Sequence, residues 1–190
     1  MDIDNEVDIL GEDFKTYILN HYKHAWHTLS EETLRRAVEE YSADREEATR
    51  ELTKERIAAE IESVLHQFTG SENFYKNWLG NLIYTDGIAW LCETAKSYWL
   101  IDLIASHQPK LKDEPFQVWT LKRHACGKMT ASAFSDYSDD EPEQNKAWFL
   151  TKQEIPYSDF PLDFLKLYAV RTEDDPQGRR RVTLMIPSEY

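Results

Sequence analysis

QFTGSENFYKNWLGNLIYTDGIAWLCETAKSYWLIDLIASHQ, residues 67–108, is the organising segment of this 190-residue chain. Trp78, Trp90 and Trp99 lie within it and Trp119 just beyond, so four of the six tryptophans stand close to the break Thr85-Asp86-Gly87. Thr85 or Asp86 is suited to cap a helix, because a short oxygen-bearing side chain satisfies the free N–H groups of a first turn. The residues that follow are apolar on nearly every side, which predicts one long helix buried in a core. Glu93, Lys96 and Asp102 interrupt Ile88–Ala105 and argue against a membrane span. Glu93 and Asp102 are nine positions apart and fall on opposite helix faces, so one of them is expected near the core. Tyr98, four residues before Asp102, is the local hydrogen-bond partner predicted for it. Upstream, Ser71 is read as the cap of a short helix through Phe74, Tyr75 and Trp78, ended by Gly80-Asn81. Leu82-Ile83-Tyr84 reads as a short extended run.

After Pro109 the apolar period changes from helical to alternating. Phe116–Leu121, Met129–Phe134, Ala147–Thr151, Phe164–Val170 and Val182–Ile186 predict five strands, separated by turn residues such as Ser138-Asp-Asp-Glu-Pro and Asp174-Asp-Pro-Gln-Gly. Helices first and strands afterwards predict an α+β fold. N-terminal helices and the long central helix would pack on a mostly antiparallel five-stranded meander sheet. Toward the N-terminus, residues 1–11 read as frayed. Phe14, Tyr17, Ile18, Tyr22 and Ala25 have helical spacing, and Leu34, Ala37, Val38 and Tyr41 mark a second helix entered through a Thr28–Glu31 capping box, with Ser30 as the competing cap. Residues 44–56 are charge-rich and read as a solvated helical face or linker. Ile57, Ile61, Val64, Leu65 and Phe68 resume an apolar stripe. The predicted organisation is an acidic helical extension, 1–56, and an α+β core domain, 57–190.

Lysines and arginines number 22 against 35 aspartates and glutamates, a net charge of −13. Residues 1–66 hold 17 acids and 8 bases, a net of −9; the remaining residues hold 18 acids and 14 bases, a net of −4. Such a chain is repelled by polyanions, so neither direct nucleic-acid binding nor membrane association is expected, while a protein partner with a basic surface is favoured. Cys92 and Cys126 make no disulfide framework and no CxxC, which fits a cytoplasmic setting. The acidic start MDIDNEVDIL lacks the basic region of a signal peptide.

Gln67-Phe-Thr-Gly-Ser-Glu72, Tyr84-Thr-Asp-Gly87, Tyr98-Trp-Leu-Ile-Asp102 with Ile104-Ala-Ser106, Phe116-Gln-Val-Trp119, Tyr157-Ser-Asp-Phe-Pro-Leu-Asp163 and Ile186-Pro-Ser-Glu-Tyr190 form an ordered motif set. Through them, residues 57–190 resemble a family of small bacterial and phage or plasmid proteins known only as a domain of unknown function. The resemblance implies no activity, cofactor or catalytic residue. It implies a mobile-element setting, and with it a role against host defence or in replication control.

Several side-chain groups carry candidate chemistry. His21, His24 and His27 recur every third residue, and neighbouring pairs on a helix can share a metal. The series drifts around the helix, so an aromatic-rich helix is the preferred reading and no metal or other cofactor is expected. Tyr84, Asp86 and Glu93 are the candidate catalytic residues, a carboxylate beside a phenol at a helix start being suited to acid–base work; helix initiation explains Asp86 equally well. Asp102 with Tyr98 and His107 reads as a buried polar network, and Cys92 as a small buried hydrophobe. Arg179-Arg-Arg181 is read as pairing with Asp174-Asp175 across a hairpin. No nucleotide-binding, zincin or nucleophile-elbow motif is present.

The expected function is that of a non-enzymatic acidic interaction protein using helices 12–66, such as an inhibitor of a host nucleic-acid-binding defence complex. A small enzyme at Tyr84, Asp86 and Glu93, and a homo-oligomeric structural protein, are the alternatives.

Overall fold

The computed structural model describes residues 3–135, 149–171 and 181–190. Among them lie helices α1 (Ile3–Tyr22), α2 (Glu31–Val64), α3 (Asp86–Thr94) and α4 (Tyr98–His107). The strands are β1 (Tyr75–Lys76), β2 (Leu82–Tyr84), β3 (Phe116–Arg123), β4 (Met129–Ser135), β5 (Phe149–Ile155), β6 (Phe164–Arg171) and β7 (Val182–Met185). The turns read at 138–142 and 174–178, and most of the basic run at 179–181, lie outside the described residues. The chain divides into two compact units, Met1–Thr53 and Lys54–Tyr190.

The first unit is built by α1 and the beginning of α2. Residues read as frayed are helical: α1 begins at Ile3, with Ile3 and Val7 buried beside Phe14, Ile18, Leu34 and Ala37. Gly11, at φ 74°, kinks α1 by adopting a conformation that costs other residues a Cβ clash. Ser30, not Thr28, caps α2; its Oγ accepts the Thr33 amide at 3.3 Å. α2 is one 34-residue helix where the periodicity had marked separate segments. Residues 42–53 bury nothing fully, and Glu31–Arg35 is one of the i,i+4 pairs that support such a polar helix.

The second unit is α+β, with a seven-stranded mixed sheet in the order β1-β2-β7-β6-β3-β4-β5. All five strands read from the sequence are present, but they do not form a meander. β3, β4 and β5 are consecutive antiparallel neighbours, and β6 then returns to the free side of β3, the spatial order of a Greek key. The returning segment 156–163 must cross three strand spacings, roughly 14 Å, well within an eight-residue reach. Arg123 holds it in place: its guanidinium donates to the Asp163 carboxylate at 3.0 Å, to the Ser158 carbonyl at 3.3 Å and to the Phe160 carbonyl. β7 then pairs antiparallel with β6 and parallel with β2, so the sheet is mixed. β1 occupies the position where a short Ser71-capped helix was predicted. Trp78 and Leu79 are exposed there, so the apolar spacing that mimicked a helix reflects a surface and not a buried stripe.

One sheet face presents Leu82, Leu184, Leu167, Trp119, Ala131 and their neighbours to α3 and α4. The predicted central helix is two. α3 ends in a Schellman turn: Lys96 takes φ 49°, the Lys96 amide donates to the Glu93 carbonyl and the Ser97 amide to the Cys92 carbonyl. Below α4, the side-chain amides of Gln108 and Gln117 bond reciprocally at 3.0 Å, and the Trp119 indole N–H donates to Gln117 at 3.0 Å. This buried polar network closes on itself, which rigidifies the packing. No helix among the described residues is long and apolar enough to cross a membrane.

Candidate functional site

The site forms around the start of α3. Glu189, 102 residues downstream of Gly87, supplies the cap that was expected of Thr85 or Asp86. The Glu189 carboxylate accepts the Thr85 hydroxyl at 2.5 Å, the Gly87 amide at 3.0 Å and the Ile186 amide at 3.3 Å. A carboxylate here meets both the free amides and the positive end of the helix. A Cβ on Gly87 would stand 2.8 Å from a Glu189 carboxylate oxygen and 2.9 Å from the Ile186 side chain, so a larger residue there must displace the ends of these two side chains. The Tyr-Thr-Asp-Gly and Pro-Ser-Glu-Tyr motifs are therefore two halves of one junction.

Asp86 faces the other way and clasps the preceding loop. Its carboxylate accepts the amides of Glu72 and Asn73, both at 3.0 Å, the Asn73 side chain at 3.2 Å and the Tyr75 hydroxyl at 3.0 Å. Its own amide donates to Ser71 Oγ at 2.7 Å. These donors, the Asn73 amide foremost, hold the Asp86 carboxyl below the usual carboxylate range. A carboxylate so engaged is a poor proton acceptor. Tyr84 stacks on Tyr75 at 5.5 Å between centroids, and burial raises its phenol, with Cys92 and Asp102 adding to the effect. Glu93 is exposed and lowered chiefly by its hydrogen bond from Lys96, at 2.6 Å. The structure thus brings Tyr84 and Asp86 to either side of Tyr75 and sets Glu93 at the α3–α4 turn.

The polar network predicted at Asp102 is rearranged. Asp102 accepts the Trp78 indole N–H at 2.8 Å, whereas the Tyr98 hydroxyl donates to Glu93 at 3.4 Å. His107 turns to Gln153 and Thr151. Tyr98 and Asp102 remain one turn apart on α4, but the α3–α4 turn brings Glu93 within reach of the Tyr98 hydroxyl, while Trp78 supplies the donor to Asp102. Three aromatic side chains are consequently tethered by their polar ends to carboxylates: Trp78 to Asp102, Tyr75 to Asp86 and Tyr98 to Glu93. Each is exposed, Trp78 to 79%. Sequence reasoning missed this set; the available signal was a tryptophan beside Gly80-Asn81, where chain reversal keeps a large ring from being buried.

His21, His24 and His27 do not share one helix. α1 ends at Tyr22, and Lys23 at φ 60° redirects the chain. His21 stacks on Tyr17 at 5.3 Å and His27 packs edge-on to Trp26 at 5.8 Å. Among the described residues no group of three or more metal-binding side chains converges. Cys92 is buried, and burial pushes its thiol up to about 12, which keeps it protonated.

Residues 54–190 are thus a small α+β domain with a mixed sheet, locked by its motif residues and presenting tethered aromatic rings to solvent. The chain belongs to the Family of unknown function (DUF6876), whose model matches residues 59–190. No curated protein and no solved structure gives a significant match.

Proposed function

We propose that the protein is a non-enzymatic, cytoplasmic interaction protein that takes a basic segment of a protein partner on its exposed, carboxylate-tethered rings Tyr75, Trp78 and Tyr98. The observation that carries this reading is the tethering of three exposed rings to Asp86, Asp102 and Glu93. A lysine or arginine laid on such rings gains about 0.5–2 kcal/mol per ring from the negative π face, and adjacent carboxylates complement its charge. The bond from each ring's polar edge also fixes its orientation before binding, which reduces the ordering cost. The net charge of −13 steers cationic partners toward the chain. Helices within 12–66, of which residues 12–58 lie outside the family match, add a second acidic surface. A mobile-element setting and inhibition of a host nucleic-acid-binding defence complex fit this chemistry, because carboxylates compete with phosphate for the same lysines and arginines. For the alternative of an enzyme at Tyr84, Asp86 and Glu93, the donor-saturated state of Asp86 offers no support.

The test is fluorescence anisotropy with labelled oligo-arginine and oligo-lysine peptides. Saturable binding should weaken as salt rises and fall about tenfold in Trp78→Ala, the loss of roughly 1.4 kcal/mol from one ring. Binding that ignores Trp78→Ala yet disappears when residues 1–53 are deleted would move the site to the acidic helices. An absence of saturable binding at low salt would end the proposal.

A further inference from the structure

β5 ends the sheet, and among the described residues no strand covers its outer side. An uncovered edge is a template for another strand, and edge lysines commonly forbid that pairing. Here Lys152 is followed two residues later by Glu154, with 3.7 Å between the charged groups, so both project from one face. That spacing is self-complementary. We propose that two copies of the chain join through antiparallel β5–β5 pairing about a two-fold axis at Gln153.

In that register Lys152 of each copy lies opposite Glu154 of the other, Thr151 opposite Ile155, and Gln153 opposite itself. Exposed Phe149 and Tyr157 flank the strand, one at each end of the paired region. The neighbouring registers that keep both copies' helices on the same side of a continuous sheet centre on Lys152 or on Glu154. Each would place like charges directly opposite, which is destabilising. Pro156 has no N–H to donate, and at the other end a bulge falls between Ala133 and Phe134 of the supporting strand. Regular pairing is thereby confined to residues 151–155. The occupant is a second copy and not a foreign strand, because the charge pattern of the edge reads as its own antiparallel complement.

Sedimentation velocity of the full chain tests this at moderate salt, where repulsion between two chains of net charge −13 is screened. The mass should rise with concentration from 22.4 kDa toward twice that value. Lys152→Glu or Glu154→Lys should each weaken the dimer by about tenfold or more through two like-charge pairs. The double exchange, Lys152→Glu with Glu154→Lys, should restore it. Both side chains are exposed, and circular dichroism checks that each variant folds. Amides of 149–155 should also exchange more slowly as concentration rises. A chain that stays monomeric at all concentrations, a dimer indifferent to the single exchanges, or a double exchange that fails to restore pairing would each overturn the proposal.

Discussion

Glu189→Ala is the perturbation that most directly tests how the domain is closed. The carboxylate serves three donors: the Thr85 hydroxyl, the Gly87 amide and the Ile186 amide. Thr85 and Ile186 are buried, so water cannot fully replace the lost acceptor. A hydrogen bond to a charged group contributes about 1.5–3 kcal/mol, and a buried donor left unpaired costs about 1–3 kcal/mol. Overlap between these terms, together with partial rehydration at the Gly87 amide, brings the expected loss to about 3 kcal/mol. Glu189→Gln retains one carbonyl acceptor and the shape but loses the charge, so it should cost about 1 kcal/mol. The assay is urea unfolding followed by tryptophan fluorescence. Trp26 is replaced by phenylalanine so that the signal reports on Lys54–Tyr190. With a slope of about 2–3 kcal/mol per molar urea, the alanine variant's midpoint should fall by roughly 1 M at unchanged slope. A loss under 1 kcal/mol for Glu189→Ala would refute the capping argument. Equal losses for alanine and glutamine would show that charge and acceptor geometry are irrelevant there.

Two further outcomes follow from the same geometry. The Asp86 carboxyl has a folded pKa below its ordinary 3.8, so folding favours its ionised form, and its stabilisation is present above that value and lost as pH falls through the lower folded value. The difference in urea midpoint between the parent and Asp86→Asn should hold steady from neutral pH down to about pH 5 and shrink below about pH 4; a gap that widens in acid contradicts the assignment. Native protein should offer one thiol, Cys126, to a disulfide reagent and two only after unfolding, since Cys92 is buried with its thiol pushed up to about 12. Rapid native labelling of Cys92 would show that the α3 packing is wrong.

The α+β class was legible because alternation and helical spacing are local signals, and Phe116–Leu121 or Val182–Ile186 carry them without ambiguity. Strand order was not legible. Nothing in Phe164–Val170 records that it pairs with β3 rather than β5; that choice rests on Arg123 binding the carbonyls of Ser158 and Phe160, contacts spanning more than thirty residues. The break between α3 and α4 was hidden because a lysine occupies the left-handed position where glycine would have announced it. Its ion pair with Glu93, at 2.6 Å, accompanies that strained conformation. Tyr84, Asp86 and Glu93 could be singled out by residue type. Their partners could not, since Tyr75, Asn73 and Lys96 become meaningful only once the loop and the kink are in place.

The position of β7 has a consequence for synthesis. Residues 182–185 sit between β2 and β6, and residue 189 completes the start of α3. A ribosome therefore has to release almost this whole segment before the two halves of the sheet can meet. Until then β2 has only β1 beside it and the core lacks Val182, Leu184 and Ile186, so a premature stop before residue 182 should yield a product cleared by cellular quality control and not a shortened working domain.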